Sequence, residues 1–111
     1  MTRRALALWV AALGVGLLGT GAAGELPAPA RGIEAGRRLF MESGCHGCHT
    51  LGAMGTPIGP SLTGLGARWS RDEIERWLRD PSARRPRAHM PRLELSEDQV
   101  QALGAYLSSL R

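Results

Sequence analysis

Cys45-His46-Gly47-Cys48-His49 is the stretch that decides how this chain folds. Two thiols stand three residues apart and an imidazole follows at once, a pattern suited to the covalent attachment of haem. Each thiol can add to one haem vinyl group, and His49, carried in by the second thioether, can bind the iron. The motif therefore predicts one haem c with its iron as the cofactor, bonded through Cys45 and Cys48, and electron transfer as the chemistry.

The same motif has three rival interpretations. A structural zinc needs four ligands, which Cys45, Cys48 and two of His46, His49 and His89 can supply, but no second Cys pair or His-x-x-x-His spacing exists. A thioredoxin-like dithiol needs a strand-and-helix context that the sequence lacks. A disulfide across only two intervening residues is strained. The pattern favours haem, and the zinc module is the alternative with a test of its own.

The first 24 residues have the pattern of a secretory signal peptide. Arg3 and Arg4 precede an apolar run without charges, and small residues at 22–24 offer a cleavage site before Glu25. An uncleaved anchor over 5–23 is the alternative, because such a run can just cross a bilayer of about 30 Å. Its many glycines make its hydrophobicity modest, which favours cleavage. We therefore expect an exported protein, periplasmic or on the outer face of the cytoplasmic membrane.

The charge and the composition limit what the remaining chain can be. Removing 24 of the 111 residues leaves 87, a single small domain with too few large apolar side chains for an ample core. A covalent porphyrin would supply the missing core. Without Arg3 and Arg4, 12 arginines face 10 acids, and two haem propionates bring the balance of +2 to about zero. The high isoelectric point therefore does not indicate nucleic-acid binding.

Helical periodicity predicts three main helices and no strands. The first runs from Ile33 to about Ser43, after a Pro/Ala stretch over 25–31 that is expected to be a non-helical spacer. Capping boxes at 70–73 and 96–99 open the other two helices, and the middle one is expected to end before Pro81. A Gly/Pro-rich loop over 51–68 and an irregular Arg-rich connection over 81–95 separate them. The folded domain is expected to occupy 32–111.

The chain resembles the small class I (monohaem) c-type cytochromes, because its features follow one another in their order. The Cys-x-x-Cys-His motif comes after a first helix and is followed by a Gly/Pro loop, a capped middle helix, Met90-Pro91 and a capped last helix. The resemblance implies an all-α fold, with three main helices and irregular loops wrapped around one covalent haem. It implies Met90 as the sixth iron ligand, and a soft, neutral thioether favours ferrous iron. His89 is the chemical rival, whereas Met41 and Met54 are interpreted as packing residues.

The resemblance assigns roles to residues around the haem. Pro60 resembles the proline whose carbonyl accepts the outer N–H of the iron histidine, which fixes the orientation of His49. Trp69 and Arg68 resemble residues whose N–H groups meet the haem propionates.

Other residues are interpreted as packing or surface residues. Gly36 and Phe40 on the first helix, with Tyr106 on the last, resemble the point where the two terminal helices cross closely. Trp77 lies on an apolar helix face and is interpreted as core. His46 occupies a variable position of the motif and is expected to be exposed.

The sequence thus predicts a monomeric one-electron carrier, with His49 and Met90 as axial ligands, that exchanges electrons with redox proteins. It is not expected to be an enzyme, because six-coordinate iron has no place for substrate. Two alternatives stay open: a haem subunit of a larger oxidoreductase complex, and a five-coordinate sensor or peroxidase if Met90 is not a stable ligand. Four arginines near Met90 are predicted either to steer an acidic partner or to be merely solvated: Arg84, Arg85, Arg87 and Arg92.

Overall fold

The computed structural model describes residues 11–14, 16, 24 and 26–111. In chain order the elements are α1 (Ala28–Glu42), a 3-10 turn (Cys45–Gly47), β1 (Thr50–Leu51), β2 (Met54–Gly55), α2 (Leu65–Arg68), α3 (Arg71–Arg79), α4 (Pro81–Arg84) and α5 (Glu97–Ser109). The largely helical architecture confirms the predicted fold class, with α1, α3 and α5 as the three main helices. Within this described part, no helix has both the length and the apolar character needed to span a membrane.

The predicted signal peptide or anchor over 1–24 lies mostly outside the described residues. The division of the chain at residues 24 and 31 therefore stays a prediction.

The crossing of α1 and α5 is the centre of the fold. A Cβ built on Gly36 would overlap the carbonyl oxygen of Ala102 and would lie 2.6 Å from the Cβ of Tyr106. The rings of Phe40 and Tyr106 meet edge to face beside this point, with centroids 5.7 Å apart. The predicted crossing point is confirmed, and it depends on the missing side chain of Gly36, which lets the two backbones approach.

The hydrophobic core lies between α1, α3 and α5. Its buried side chains are Phe40, Ile74, Leu78, Val100, Leu103, Tyr106 and Leu107. Burial of each large apolar side chain stabilises the fold by about 1.5–3 kcal/mol, so this set is small for a domain of this size. Half-buried apolar residues from the loops, among them Cys45, Trp69 and Met90, pack against its edge. The core therefore continues without a break into the loop region that contains the predicted site.

Both predicted capping boxes are present. The hydroxyl of Ser70 accepts the N–H of Glu73 at 3.2 Å, and the Glu73 carboxylate accepts the N–H of Ser70 at 2.8 Å. These hydrogen bonds hold the pKa of Glu73 below its ordinary value. Ser96 and Gln99 form the same reciprocal pair at the start of α5, at 3.2 and 2.9 Å. Local sequence therefore fixes where α3 and α5 begin.

The start of α1 differs from the prediction. The helix begins at Ala28, so the expectation that the Pro/Ala stretch is non-helical is wrong for residues 28–30. Pro27 is the N-cap and Pro29 is the second helical residue. Proline is tolerated in a first turn because the N–H that it lacks would have no partner there.

Short elements also occur where irregular chain was predicted. Strands β1 and β2 pair antiparallel, with Thr50 opposite Gly55 and Leu51 opposite Met54, so the prediction of no strands is wrong. Helix α4 begins at Pro81 within the stretch predicted to be irregular, and the Asp80 carboxylate accepts the N–H of Ser82 at its start. Elements of two to four residues are too short to show an alternating or helical pattern in the sequence.

Candidate haem-binding site

The Cys-x-x-Cys-His segment forms a tight turn directly after α1. Gly44 has a left-handed backbone, with φ of 74°, which reverses the chain at the end of the helix. The carbonyl of Cys45 then accepts the N–H groups of both Cys48, at 3.2 Å, and His49, at 3.0 Å. Burial raises the pKa of the Cys45 thiol above its ordinary value, whereas Cys48 is exposed. The turn presents both thiols and the imidazole to one cavity.

This cavity has a volume of about 830 Å³ and takes its walls from α1, the 3-10 turn, α2, α3, α5 and the loops between them. Apolar side chains form most of the walls, and a few arginines lie among them. The lining residues are Phe40, Cys45, Cys48, His49, Ile58, Gly59, Pro60, Ser61, Leu62, Leu65, Arg68, Trp69, Ile74, Trp77, Leu78, Arg85, Arg87, Ala88, His89, Met90, Pro91, Leu103 and Leu107. Covalent haem needs two thiols for its vinyl groups and ligands for its iron, for which the cavity offers an imidazole and a thioether. The walls around these groups are apolar, so the residues present fit that cofactor.

The imidazole of His49 is held by the Gly/Pro-rich loop. Its Nδ1–H donates to the carbonyl of Pro60 at 2.7 Å, which confirms the predicted hydrogen bond and leaves Nε2 as the ring nitrogen with a free lone pair. Gly59 lies flat against the ring, because a Cβ there would be 2.7 Å from Cε1 of His49. The N–H of Gly59 also donates to the carbonyl of Cys48 at 2.6 Å. The loop therefore fixes the tautomer and the plane of His49 together.

Met90 lies in the wall of the same cavity. It is half-buried, and its sulfur accepts a hydrogen bond from the indole Nε1–H of Trp77 at 3.1 Å. Met41 on α1 and Met54 on β2 are exposed by 38% and 37%, and neither lines the cavity. His89, the chemical rival, lines it too but is exposed. Of the methionines in the described residues, Met90 is thus the one that the fold brings to the cavity.

The interpretation of Trp77 as a core residue was incomplete. Ile74 and Leu78 on the same helix are buried, but Trp77 is half-buried in the cavity wall and contacts Met90. Helical periodicity cannot distinguish a core residue from a cavity-wall residue, because apolar side chains at the same spacing occur in both places. Trp69 meets Trp77 edge to face, with centroids 5.8 Å apart, and the guanidinium of Arg84 lies 5.7 Å from the Trp69 ring centroid.

The four arginines near Met90 do not form one cluster. Arg85 and Arg87 line the cavity, whereas Arg84 lies on Trp69. Arg92 lines a separate depression between α3 and α5, next to the ion pair of Arg79 with Glu97. Only two of the four are thus placed at the cavity.

Arg68 and Trp69, the predicted propionate partners, both line the cavity. The guanidinium of Arg68 also donates to the carbonyl of Ser61 at 3.2 Å. Their role toward propionates stays a prediction.

His46 was expected to be exposed, and this expectation is wrong. The residue is half-buried, its ring lies 6.5 Å from the ring of Phe40, and its Nδ1 is buried without a hydrogen-bond partner among the described residues. The His46 ring lies towards Phe40 on α1, and this packing between the turn and the helix has no signal in the sequence.

The zinc interpretation finds no support in the geometry. Among residues 11–14, 16, 24 and 26–111, no group of three or more Cys, His, Asp or Glu side chains is placed to hold a metal ion. His46 and His89 therefore do not complete a site with the two cysteines.

Comparison with known proteins agrees with this site. The family model described as Cytochrome c matches residues 33–111. The chain is 40% identical over 85 residues to cytochrome c oxidase subunit 2 of Alkalihalophilus pseudofirmus (strain ATCC BAA-2126 / JCM 17055 / OF4), a match that covers 68% of this chain and 25% of that relative. The chain thus spans about a quarter of the relative's length. No solved structure gives a significant match.

Proposed function

Because the chain belongs to the cytochrome c family, we propose that it transfers single electrons between redox proteins with His49 and Met90 as the axial ligands of its haem iron. The chain is a small c-type cytochrome, and Cys45 and Cys48 attach its one haem c covalently. Family membership also implies electron transfer as the chemistry. The finer statements, which concern the axial ligands, the partners and the location, are the proposal.

One observation carries the proposal: Cys45, Cys48, His49 and Met90 line a single apolar cavity. His49 offers Nε2 because its Nδ1–H donates to Pro60 at 2.7 Å, and Met90 offers a sulfur whose position is fixed by a 3.1 Å hydrogen bond. When bound, haem c supplies a one-electron couple between ferric and ferrous iron. The chain's own contribution is to hold both ligands rigidly and to exclude water from the apolar walls, which favours electron exchange with little rearrangement.

A second candidate, a haem subunit of a larger oxidoreductase, is favoured by one comparison. The relative named above is an oxidase subunit, and the present chain matches only 25% of it. We propose that this domain exchanges electrons with a membrane oxidase or a similar complex on the outer side of the cytoplasmic membrane. Native size measurement during purification distinguishes the two forms, since a free carrier elutes as a small monomer and a subunit elutes with its complex.

The test is a redox titration of the mature holoprotein with spectra recorded in both states. We expect a ferrous c-type spectrum, a sulfur-to-iron charge-transfer band in the ferric protein, and no rapid carbon monoxide binding. Ready binding of carbon monoxide, together with absence of the charge-transfer band, would instead support the five-coordinate sensor or peroxidase. Loss of the pigment into acidified organic solvent would contradict covalent attachment.

Gly59→Ala is expected to weaken the bond between His49 and the iron. The new methyl carbon would lie 2.7 Å from Cε1 and 3.0 Å from Nδ1 of His49, so the ring must move away from Pro60. Loss of such an orienting hydrogen bond typically lowers metal affinity by about 10- to 100-fold. Protons compete with iron for the imidazole, so acid release of the ligand should occur at a pH higher by roughly one to two units. The measurement is an acid titration of the low-spin ferric spectrum.

The matched control is Gly47→Ala, within the Cys-x-x-Cys-His motif. A Cβ on Gly47 would meet nothing within 4 Å, so this variant should release its ligand at the parent's pH. An equal shift in both variants would show that an added methyl group anywhere near the site disturbs it, and the specific contact assigned between Gly59 and His49 would be wrong.

Arg85 and Arg87 are expected to attract anionic redox partners to the cavity. Both line it, and the mature chain is otherwise nearly neutral. The rate of oxidation by ferricyanide, an anion, should fall about tenfold between roughly 0.01 and 1 M salt, over which the Debye length falls from about 30 to about 3 Å. Arg85→Gln combined with Arg87→Gln should flatten this dependence, measured by stopped flow.

Arg38→Gln on α1 is the control, because Arg38 is exposed and does not line the cavity. This variant should keep the parent's salt dependence. If it flattens the dependence as much as the double variant does, net charge rather than the two cavity arginines governs the encounter.

A further inference from the structure

Residues 43–67 contain no Arg, Lys, Asp or Glu, although charged residues make up 22% of the chain. At that frequency a stretch of this length would hold about five of them. The stretch includes the Cys-x-x-Cys-His turn, both strands and most of the Gly/Pro-rich loop. Much of it is exposed, and exposed surface is where charged side chains normally lie. A long uncharged surface therefore borders the haem-attachment motif.

Hydrogen bonds hold two passes of this stretch side by side. The N–H of Thr56 donates to the carbonyl of His46 at 3.0 Å. The N–H of Gly59 donates to the carbonyl of Cys48 at 2.6 Å. The exposed residues of the two passes, 47–48 and 52–58, therefore lie next to one another on the surface, and we call them the neutral lip.

The neutral lip is apolar and borders the opening of the haem cavity. Its largest side chains are Met54 and Ile58, which are 37% and 74% exposed. Cys48 and Ile58 also line the cavity, so the lip reaches its edge. Arg85 and Arg87 are exposed as well and line another part of the same cavity. The cavity thus has an uncharged apolar side and a cationic side.

We propose that the neutral lip is the surface at which two copies of this chain meet and exchange an electron. The inference rests on the proposed function, because it needs a haem that cycles between ferric and ferrous iron. Identical proteins carry identical charges, so a symmetric contact through a charged surface places like charges opposite one another. Two copies that meet at the cationic side would bring Arg85 and Arg87 against their counterparts. Contact through the neutral lip avoids this repulsion and still brings the two cavities together.

The encounter is brief and leaves the protein monomeric. The lip contains nine residues, whereas a stable interface has roughly 20–30 on each side. In each encounter one electron leaves the ferrous haem of one copy and reduces the ferric haem of the other. The products are the same as the reactants, so no further oxidant or reductant is needed.

The experiment measures this self-exchange in the holoprotein. Line broadening of the haem methyl NMR signals, in mixtures of ferric and ferrous protein, gives the rate constant. The parent's rate should change by less than about twofold between roughly 0.1 and 1 M salt, over which the Debye length falls from about 10 to about 3 Å. Met54→Glu places a carboxylate on the lip of both copies. Its rate should fall about fivefold at the lower salt, the factor for two like charges about 4 Å apart in water, and should recover at the higher salt.

Met41→Glu is the matched control. Met41 on α1 is 38% exposed, nearly the same as Met54, but it is not part of the lip and does not line the cavity. This variant changes the net charge equally and should keep the parent's rate. Met54→Gln adds no charge and should also keep it. If Met54→Glu yields no folded holoprotein, Ala53→Glu, in the exposed turn between β1 and β2, should give the same fall.

A second measurement does not depend on electron transfer. In a dilution series of the fully ferrous parent, the amide NMR signals that move with concentration should be those of residues 47–58. In Met54→Glu at low salt these signals should stay fixed. Concentration-dependent shifts confined to other residues would place the contact elsewhere and overturn the inference.

The outcomes distinguish this inference from the proposed function. A parent without the sulfur-to-iron charge-transfer band overturns the axial ligands of the proposed function. A parent that shows the band, with equal self-exchange rates in Met54→Glu and Met41→Glu, leaves that function standing and overturns the contact between copies, so the lip would then serve a different protein. A parent rate that rises steeply with salt shows that copies meet through charged surfaces, and this result also overturns the inference.

Discussion

Gly36→Ala is expected to destabilise the domain by up to about 2 kcal/mol, because overpacking a rigid contact typically costs about 1–3 kcal/mol and the better helix propensity of alanine returns about 1 kcal/mol of that cost. The added methyl carbon would overlap the carbonyl oxygen of Ala102 and lie 2.6 Å from the Cβ of Tyr106. Neither neighbour is the flexible end of a side chain, so α1 and α5 must separate. The melting temperature should fall by up to roughly 16 °C. Thermal unfolding of the holoprotein, followed by circular dichroism, measures this.

Gly32→Ala provides the control on the same helix. Its Cβ would lie 3.9 Å from the Cβ of Ala105, an ordinary contact, so the gain in helix propensity should stabilise this variant by up to about 1 kcal/mol. The two substitutions are chemically identical and one helical turn apart. If both change the melting temperature in the same direction, the close approach at Gly36 does not limit the packing of the terminal helices.

The parts of the fold that could be predicted from the sequence are those encoded by neighbouring residues. Ser70 with Glu73, and Ser96 with Gln99, fix the starts of α3 and α5 because both partners of each box lie within one helical turn. The start of α1 was misplaced because Pro29 was treated as a helix breaker, although its place in the first turn makes it harmless. Helix α4 was missed because four residues give no periodic signal.

The candidate site divides in the same way. The cysteines and His49 are adjacent in the chain, so their chemistry is evident from spacing alone. Pro60 and Met90 were placed by resemblance to a family, and the structure brings both to the cavity. The contact of Trp77 with Met90 spans 13 residues and depends on how α3 packs, which no local pattern encodes. Such long-range contacts were therefore absent from the prediction.

Met90→Ala is expected to open the sixth position of the iron and to change the chemistry of the protein. Alanine cannot reach the metal, so the soft ligand that favours ferrous iron is lost and the reduction potential should fall. Carbon monoxide then competes with no protein ligand. If the sulfur bond is worth about 3 kcal/mol, the affinity of the ferrous protein for carbon monoxide should rise roughly 100-fold. Optical titration of the reduced holoprotein measures this, with loss of the ferric charge-transfer band as the second sign.

Met54→Ala is the control for this change. Met54 lies on β2, is 37% exposed and does not line the cavity, so its removal should leave the potential and carbon monoxide affinity at the parent values. A third variant, His89→Ala combined with Met90→Ala, tests whether His89 can bind the iron instead, because His89 also lines the cavity. If Met90→Ala retains a low-spin ferric spectrum and His89→Ala abolishes it in that background, the histidine replaces the lost sulfur. If the parent protein and Met90→Ala bind carbon monoxide equally well, Met90 is not a ligand, and the five-coordinate interpretation replaces the electron carrier.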